Sequence, residues 1–482
     1  MHSDEIDELR AKHICFECVG EAYLADRIER DGAVANCAYC ESTEKAITVA
    51  ELADLVETAF SSHYTRTSDQ PDSWQQTMMS DRESTYDWVR DGDPVIDAIE
   101  SAAGIPRQAA EDVQSILDDR YGDFDSSMMG EETEFSSDAH YEEKGASSFA
   151  WQEEWRSFEQ SLKTEARFFS RSATLHLATV FGSIDKLKTR KGRPLVVQAG
   201  PKRGLNHLYR ARVFQSDNKL EEALCRPDLH LGPPPSRLAS GGRMNARGIA
   251  VFYGATAARA AIAEVRPPVG SRVVIARFDI TRSLRLLDLT ALEDVWDGGS
   301  TFDPTLKDRL ERVAFLRSLG EKMTRPVMPD DEAFDYLPTQ AVADFLATQN
   351  EPQLDGIVFR SVQVKGGRNV VLFHKAARVE MLTFPEGTEF DVRSGFDTED
   401  GWERDYSVSE RVPAVPVQSD AEDHYDWFGP GLSYNSRNPD CRDTALRVDP
   451  VSVTVCDIDW VSFRSTTHKV SRHRLEKRDP EF

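Results

Sequence analysis

Two cysteine pairs are the first residues with an evident chemistry: Cys15-x2-Cys18 and Cys37-x2-Cys40, eighteen residues apart. Each close pair can place two thiolates on one ion from a single tight turn, and two pairs fill a tetrahedral shell. The spacing is that of a structural zinc site, whereas a redox motif needs one CxxC at a helix start. His13 is adjacent, but four cysteines already complete the shell. Segment 1–45 has too few apolar residues for a core of its own, so metal binding is expected to supply its folding energy. Cys225, Cys441 and Cys456 are scattered and make the count odd, which argues against a disulfide framework.

A second set of candidates lies between 205 and 384. Glu264 stands in the otherwise apolar stretch Ala260-Ala-Ile-Ala-Glu-Val265, as a functional acid or a solvent-facing helix residue. Arg210 and Arg243 can each offer a bidentate fork to phosphate, or lie on the surface. Gly241-Gly242 lets the backbone approach a ligand closely, or simply turns. Tyr253 and Ser361 end apolar runs, where a ring can stack and a hydroxyl can hydrogen-bond, or where each can be an ordinary strand-end residue. No histidine is evidently paired with Ser361, so it is not read as a nucleophile. Arg368 and Asn369 could bound the same pocket.

The elements that must hold these residues are of mixed type. Thr48-Val-Ala-Glu51 is a capping-box pattern, and Val49, Leu52, Val56 and Ala59 follow on one helical face. Pro94 opens a second helix stopped by Gly104, and Pro106 opens a third to about residue 117. Residues 151–184 read as helix, with Trp151, Trp155, Phe158, Leu162 and Phe169 as a core stripe. Strands are expected at 250–253, 272–280, 284–289, 356–360, 369–373 and 379–384, and helices at 255–265, 304–319 and 340–347. Irregular interleaving and hairpin turns such as Gly366-Gly367 indicate an α+β fold rather than a doubly wound sheet. The expected division is a four-cysteine zinc-binding segment 1–45, a helical domain 46–184, a basic linker 185–204, a mixed-sheet domain 205–384 and a C-terminal extension 385–482 that could complete it.

Charge narrows the function classes. The 482 residues carry a formal net charge of −25, which repels phosphate over most of the surface and argues against a general nucleic-acid binder. Residues 118–144 hold ten acidic and two basic side chains and are expected to be a solvated or disordered insertion. Residues 186–212 hold nine Lys or Arg and no acid, as a solvated linker or a basic rim drawing in a small anion. No apolar run is long enough to span a bilayer, and the acidic N-terminus lacks an apolar signal core, so a cytoplasmic location without membrane contact is expected.

Four ordered blocks carry a family resemblance. Leu208-Tyr-Arg210, Gly241-Gly-Arg-Met-Asn245 with Gly248-Ile-Ala-Val-Phe-Tyr-Gly254, Ala260-Ala-Ile-Ala-Glu-Val-Arg266, and Asp355-Gly-Ile-Val-Phe-Arg-Ser361 with Gly366-Gly-Arg-Asn-Val-Val-Leu-Phe373 resemble the RES domain over about 205–384. The cysteine pairs, the helix near Pro94 and Trp155…Arg167-Phe-Phe169 are similar to the HEPN-like domain found ahead of some RES domains. The long gap between Glu264 and Ser361, and the hundred residues after the domain, depart from a compact RES toxin.

The resemblance implies an ADP-ribosyltransferase-like fold and NAD+ as substrate, cleaved at the nicotinamide–ribose bond with phosphate or water as acceptor. It implies a toxin restrained by an Xre-like antitoxin or another inhibitor, and leaves a homo-oligomer open. Glu264 would then stabilise the oxocarbenium ion. Arg210 and Arg243 would take the pyrophosphate, Tyr253 would stack on nicotinamide or bond ribose, and Ser361 would hold the nicotinamide amide or a ribose hydroxyl. Transfer of ADP-ribose to a protein or small molecule is the alternative on the same substrate. Arg171-x4-His176 also matches the Arg-x4–6-His pattern of HEPN ribonucleases, which gives a second alternative; the spacing is common, and with apolar Leu177, Ala178 and Val180 following, the pair also reads as an ordinary structural one.

Overall fold

The computed structural model describes residues 3–81, 83–122, 132–399, 401–413, 440–462 and 465–474. The chain forms two compact units, 1–195 with 291–325, and 196–290 with 326–482. The division therefore falls inside the expected linker, and 291–325, expected in the mixed-sheet domain, returns to the first unit.

In the first unit the cysteine segment is a three-stranded antiparallel sheet, with Thr43–Thr48 between His13–Cys15 and Ala33–Asn36. It is not a module without a core. Ile14, Val19, Leu24 and Ile28 pack in one cluster with Leu52, Val56, Phe60, Ile99, Val113 and Leu117 of the helices. Each fully buried side chain of this size contributes about 1.5–3 kcal/mol, so metal is not the sole source of folding energy there. The helix Val49–His63 starts at the predicted capping box. The Glu51 amide donates to Thr48 Oγ1 (3.2 Å), and the Thr48 amide donates to the Glu51 carboxylate (2.9 Å). Helices Val95–Ala103, capped by the left-handed Gly104, and Arg107–Tyr121 follow as the prolines and glycine indicate.

The middle of the acidic segment, 123–131, lies outside the described residues. Beyond it the chain packs instead of remaining solvated: Phe135, Ala139 and Tyr141 are buried, and Glu132 pairs with Arg90. Acidic composition concealed these alternating apolar residues and the short strand His140–Glu143.

The predicted helix 151–184 is two helices, Phe149–Thr164 and Arg171–Phe181. Trp155, Phe158 and Leu162 are buried as expected. Phe169 sits in the break with φ +61° and is fully exposed. Arg312, on the helix Leu306–Thr324, donates to the carbonyls of Val180 and Gly182 and so caps the second helix. The basic run is also ordered. Lys188–Thr189 pairs with Val295–Trp296, and its later part becomes a sheet strand of the second unit.

The second unit is built on an eight-stranded mixed sheet. Its strands are β1 Val196–Ala199, β2 His207–Phe214, β3 Phe252–Ala255, β4 Arg272–Ile280, β5 Leu284–Asp288, β6 Gly356–Arg360, β7 Arg368–Leu372 and β8 Leu446–Asp457. Their order is β8-β4-β2-β3-β7-β6-β5-β1, antiparallel except for β5 with β6. Ala211, Ala255, Val273 and Ile275 face Ala260 and Ala261 of the helix Ala258–Glu264. Leu208, Phe252, Val274, Phe278 and Leu372 form the opposite core with Leu220 and Ala223. Segment 379–384, expected as a strand, makes only an isolated bridge, Val379 to Leu446. The strand predicted from its residues at 272–280 is instead flanked by β8, so the extension after 385 supplies a sheet strand.

His176 generates a test of the first unit. Its ring lies 6.0 Å from that of Trp155 and 5.4 Å from that of Phe158, and its Nε2 is enclosed without a hydrogen-bond partner among the described residues. Burial holds its pKa below the ordinary value, and Glu154 at 3.6 Å opposes this in part. The unfolded chain therefore binds the proton more readily than the folded one. The stability contribution is complete above about pH 6.5 and is lost as the pH falls toward the lowered folded value. His63, lowered chiefly by burial, acts in the same sense. Melting temperatures compared near pH 7 and pH 5 should fall less in His176→Phe than in wild type. An unchanged acid loss would remove His176 from this role.

Candidate functional site

Cross-strand register builds one wall of a cavity of about 240 Å³. Ala255 pairs with Tyr209 on one side and with Asn369 on the other, and Asn369 pairs with Phe359. Directly opposed residues share a sheet face, so Tyr209, Ala255, Asn369 and Phe359 form a row across four strands. Glu264, the last residue of its helix, and Tyr253 complete the lining.

The Glu264 carboxylate is solvent-accessible, and its Oε1 accepts a hydrogen bond of 2.6 Å from Ser361 Oγ. Ser361 is buried just beyond β6. Its oxygen accepts from the amides of Gln363 (3.2 Å) and Val364 (3.1 Å), which engages both acceptor positions of the hydroxyl. The remaining proton is donated to Glu264. In this arrangement Ser361 orients a carboxylate. It has no hydrogen left for a substrate amide unless it releases Glu264.

The Gly-Gly-Arg-Met-Asn segment is a tight loop with an isolated bridge between Gly242 and Asn245. Asn245 is buried. Its Nδ2 donates to the carbonyls of Ser240 and Ile249 (both 2.9 Å), and its Oδ1 accepts from the Tyr253 hydroxyl (2.9 Å). The Tyr253 oxygen in turn accepts from the Met244 amide at 3.1 Å. Burial raises the Tyr253 pKa to about 12. A Cβ on Gly242 would lie 2.8 Å from both Tyr253 Oη and Asn245 Oδ1, which is why glycine stands there. Gly241 has no such close neighbour. Tyr253 thus spends its hydroxyl on the loop and offers the cavity its ring.

Two arginines occupy separate places. Arg243 does not line the cavity. Its guanidinium lies 4.9 Å over the Tyr336 ring, while Gln340 Nε2 donates to the Gly242 carbonyl at 2.8 Å. Arg210 borders the cavity, but its guanidinium lies 4.9 Å over Phe252, on the sheet face where Leu208 and Ala276 pack. Its Nη1 is enclosed without a partner among the described residues, and burial first, then Arg212, lowers its pKa to about 10. An enclosed guanidinium with an unused donor is poised to receive an acceptor. Asn369 likewise has a buried Oδ1 without a partner, whereas Arg368 is exposed.

Asn245 and the Ser361–Glu264 bond carry the geometry, and neither role is visible from residue type alone. A polar residue two positions after a Gly-Gly-Arg turn is the available signal for Asn245. For Ser361, its partner lies 97 residues away, beyond the reach of spacing arguments.

The four cysteines form a candidate metal centre in the first unit. Their sulfurs lie within 4.8 Å of one another, with Cys15–Cys40 at 3.5 Å and Cys37–Cys18 at 3.8 Å. Zn–S bonds of about 2.3 Å give a tetrahedron with edges of about 3.8 Å, so the donor set fits zinc. The Cys15 amide points at Cys37 Sγ (3.4 Å), as backbone donors do around bound thiolates. The Arg171 and His176 pair is different. Arg171 is exposed while His176 is packed against two aromatic rings.

Residues 208–392 match the RES domain family, and residues 30–175 match HEPN/RES N-terminal domain 1. No curated protein and no solved structure matches the chain. No helix among the described residues is long and apolar enough to cross a membrane.

The metal reading has a direct check. Cys37→Ser should reduce zinc measured by atomic absorption to well below one ion per chain and lower the melting temperature, because a buried ligand is lost. Full zinc content with an unchanged melt would disprove the four-sulfur assignment.

Proposed function

Because this chain carries a RES domain behind a HEPN/RES-type N-terminal domain, we propose that it cleaves the nicotinamide–ribose bond of NAD+ in the cavity beside Glu264. The observation that carries this reading is the Glu264 carboxylate, held by Ser361 at the rim of a cavity lined with Tyr209, Tyr253 and Phe359. At about 240 Å³ the cavity is smaller than the roughly 300–1,000 Å³ that encloses a drug-sized ligand, so it suits one end of a dinucleotide. A planar nicotinamide ring fits aromatic walls, and departure of that ring leaves positive charge on the ribose.

The step balances simply. The C–N glycosidic bond breaks and its electron pair leaves with nicotinamide, which becomes neutral. The ribosyl cation develops beside the Glu264 carboxylate, which lowers its energy more than that of the ground state. An oxygen of water or inorganic phosphate then bonds to the anomeric carbon, and an acceptor proton passes to solvent. Arg243, over Tyr336 and outside the cavity, is the cation proposed for the pyrophosphate or for phosphate as acceptor, whereas the Arg210 guanidinium lies over Phe252 on the opposite face of the sheet. Zinc at the cysteine centre would be structural. Toxin action and restraint by an inhibitor follow from the same reading, since NAD+ loss injures any cell that makes the enzyme in free form.

Incubation with NAD+, with and without phosphate, should release nicotinamide. Mass analysis of the second product separates ADP-ribose from its phosphate ester, and label retained on a macromolecule would indicate transfer instead. Glu264→Gln should lower kcat by roughly 10²–10³-fold with little change in KM, as for loss of one preorganised electrostatic group. A raised KM with kcat intact would make Glu264 a ribose-binding residue. Cleaved RNA with intact NAD+ would move the activity to Arg171 and His176.

A further inference from the structure

Two residues outside the assignments above join the Ser361 loop to the Glu264 helix a second time. Arg266 follows Glu264 by two positions and has φ +44°, a left-handed conformation that L side chains adopt only at a cost. Pro267 and Pro268 come next and restrict the backbone further. With its amide oxygen turned toward the guanidinium, the Gln363 side chain accepts from Arg266 Nε and Nη2, both at 3.2 Å. The same residue's backbone amide donates to Ser361 Oγ. Gln363 therefore bonds the helix end through its side chain and the orienting serine through its backbone.

Val364 adds an apolar restraint, packing against the cluster that holds Ala260 and Ala261. Ser361 and Gly367 are bonded through the Ser361 amide and the Gly367 carbonyl (2.9 Å), and the Gly367 amide donates to Val364 (2.9 Å). Val362, Gln363, Lys365 and Gly366 are exposed. The donors that saturate Ser361 Oγ belong to this exposed turn, so the direction of the Ser361 hydroxyl depends on where the turn is held.

We propose that Arg266 and Gln363 are positioning residues: their fork-to-amide contact braces the 361–367 loop against the helix end and thereby fixes the Ser361 hydroxyl on Glu264. The strained backbone of Arg266 aims its guanidinium back at the loop. This rests on the NAD+ reading only for its catalytic consequence, because the brace itself is a property of the unliganded protein. A point charge cannot replace it, since Lys lacks the planar fork. A carboxylate in place of the Gln363 amide can, since it accepts the same two bonds.

The test uses the full chain and four variants: Arg266→Ala, Arg266→Lys, Gln363→Ala and Gln363→Glu. Amide hydrogen exchange in the 361–367 loop should quicken by about tenfold or more in the first three and stay near wild type in Gln363→Glu. With NAD+, kcat should fall by roughly 10–100-fold in the first three while KM stays within about twofold, and Gln363→Glu should recover most of it. Unchanged exchange in Arg266→Ala and Gln363→Ala overturns the brace. So does a raised KM with kcat intact, which would make Arg266 a substrate ligand. If the wild type releases no nicotinamide, the NAD+ reading falls and the exchange data still decide the brace. Circular dichroism of each variant separates local loosening from failure to fold.

Discussion

A hydroxyl has two acceptor positions and one proton, and at Ser361 this arithmetic decides the candidate site. Two backbone amides take the acceptor positions, so the proton goes to Glu264. A carboxylate at the end of a seven-residue helix would otherwise sample several rotamers in water. The bond costs little because Ser361 is already buried, directly after a strand that is paired on both sides. The surrounding structure serves that geometry. The sheet row from Tyr209 to Phe359 gives the cavity its floor, the small residues Ala260 and Ala261 let the helix lie close, and the Asn245 loop fixes Tyr253.

Much of this was legible in the sequence where local rules act alone. The Thr48 capping box, the left-handed Gly104 and the apolar runs of β4 and β6 are set by nearest neighbours, and they appear where expected. Phe169 falls outside the core because the apolar period runs through a break at which Phe169 turns left-handed and Ser170 caps a new helix, its hydroxyl accepting from the Ala173 amide. Tyr253 and Ser361 were assigned to the pocket by residue type, but the placement of their hydroxyls depends on Asn245 and Glu264, partners brought together by strand order. Arg210 marks the same limit: it borders the cavity, but alternation along β2 sets its guanidinium on the face of Phe252.

The cysteine segment shows how composition can mislead about energetics. Counted alone, 1–45 is too polar to fold. Set against the helices, its four apolar anchors Ile14, Val19, Leu24 and Ile28 complete a shared core. Metal would then fix the local geometry of two turns in a unit that hydrophobic burial already holds together, rather than create that unit. The acidic segment teaches the converse. Its charge count is correct, yet Phe135 and Tyr141 stack within the same core.

The C-terminal strand has a consequence in time. β8 pairs with β4 from Ile280–Leu446 to Arg272–Asp457, so the sheet that carries the cavity gains its outer strand only from residues made long after its centre. At synthesis rates of about 5–20 residues per second, the apolar edge of β4 stays uncovered for on the order of ten seconds on each nascent chain. During that interval the growing polypeptide presents Val273, Val274 and Ile275 beside an unfinished ladder, and the order of translation delays completion of the fold.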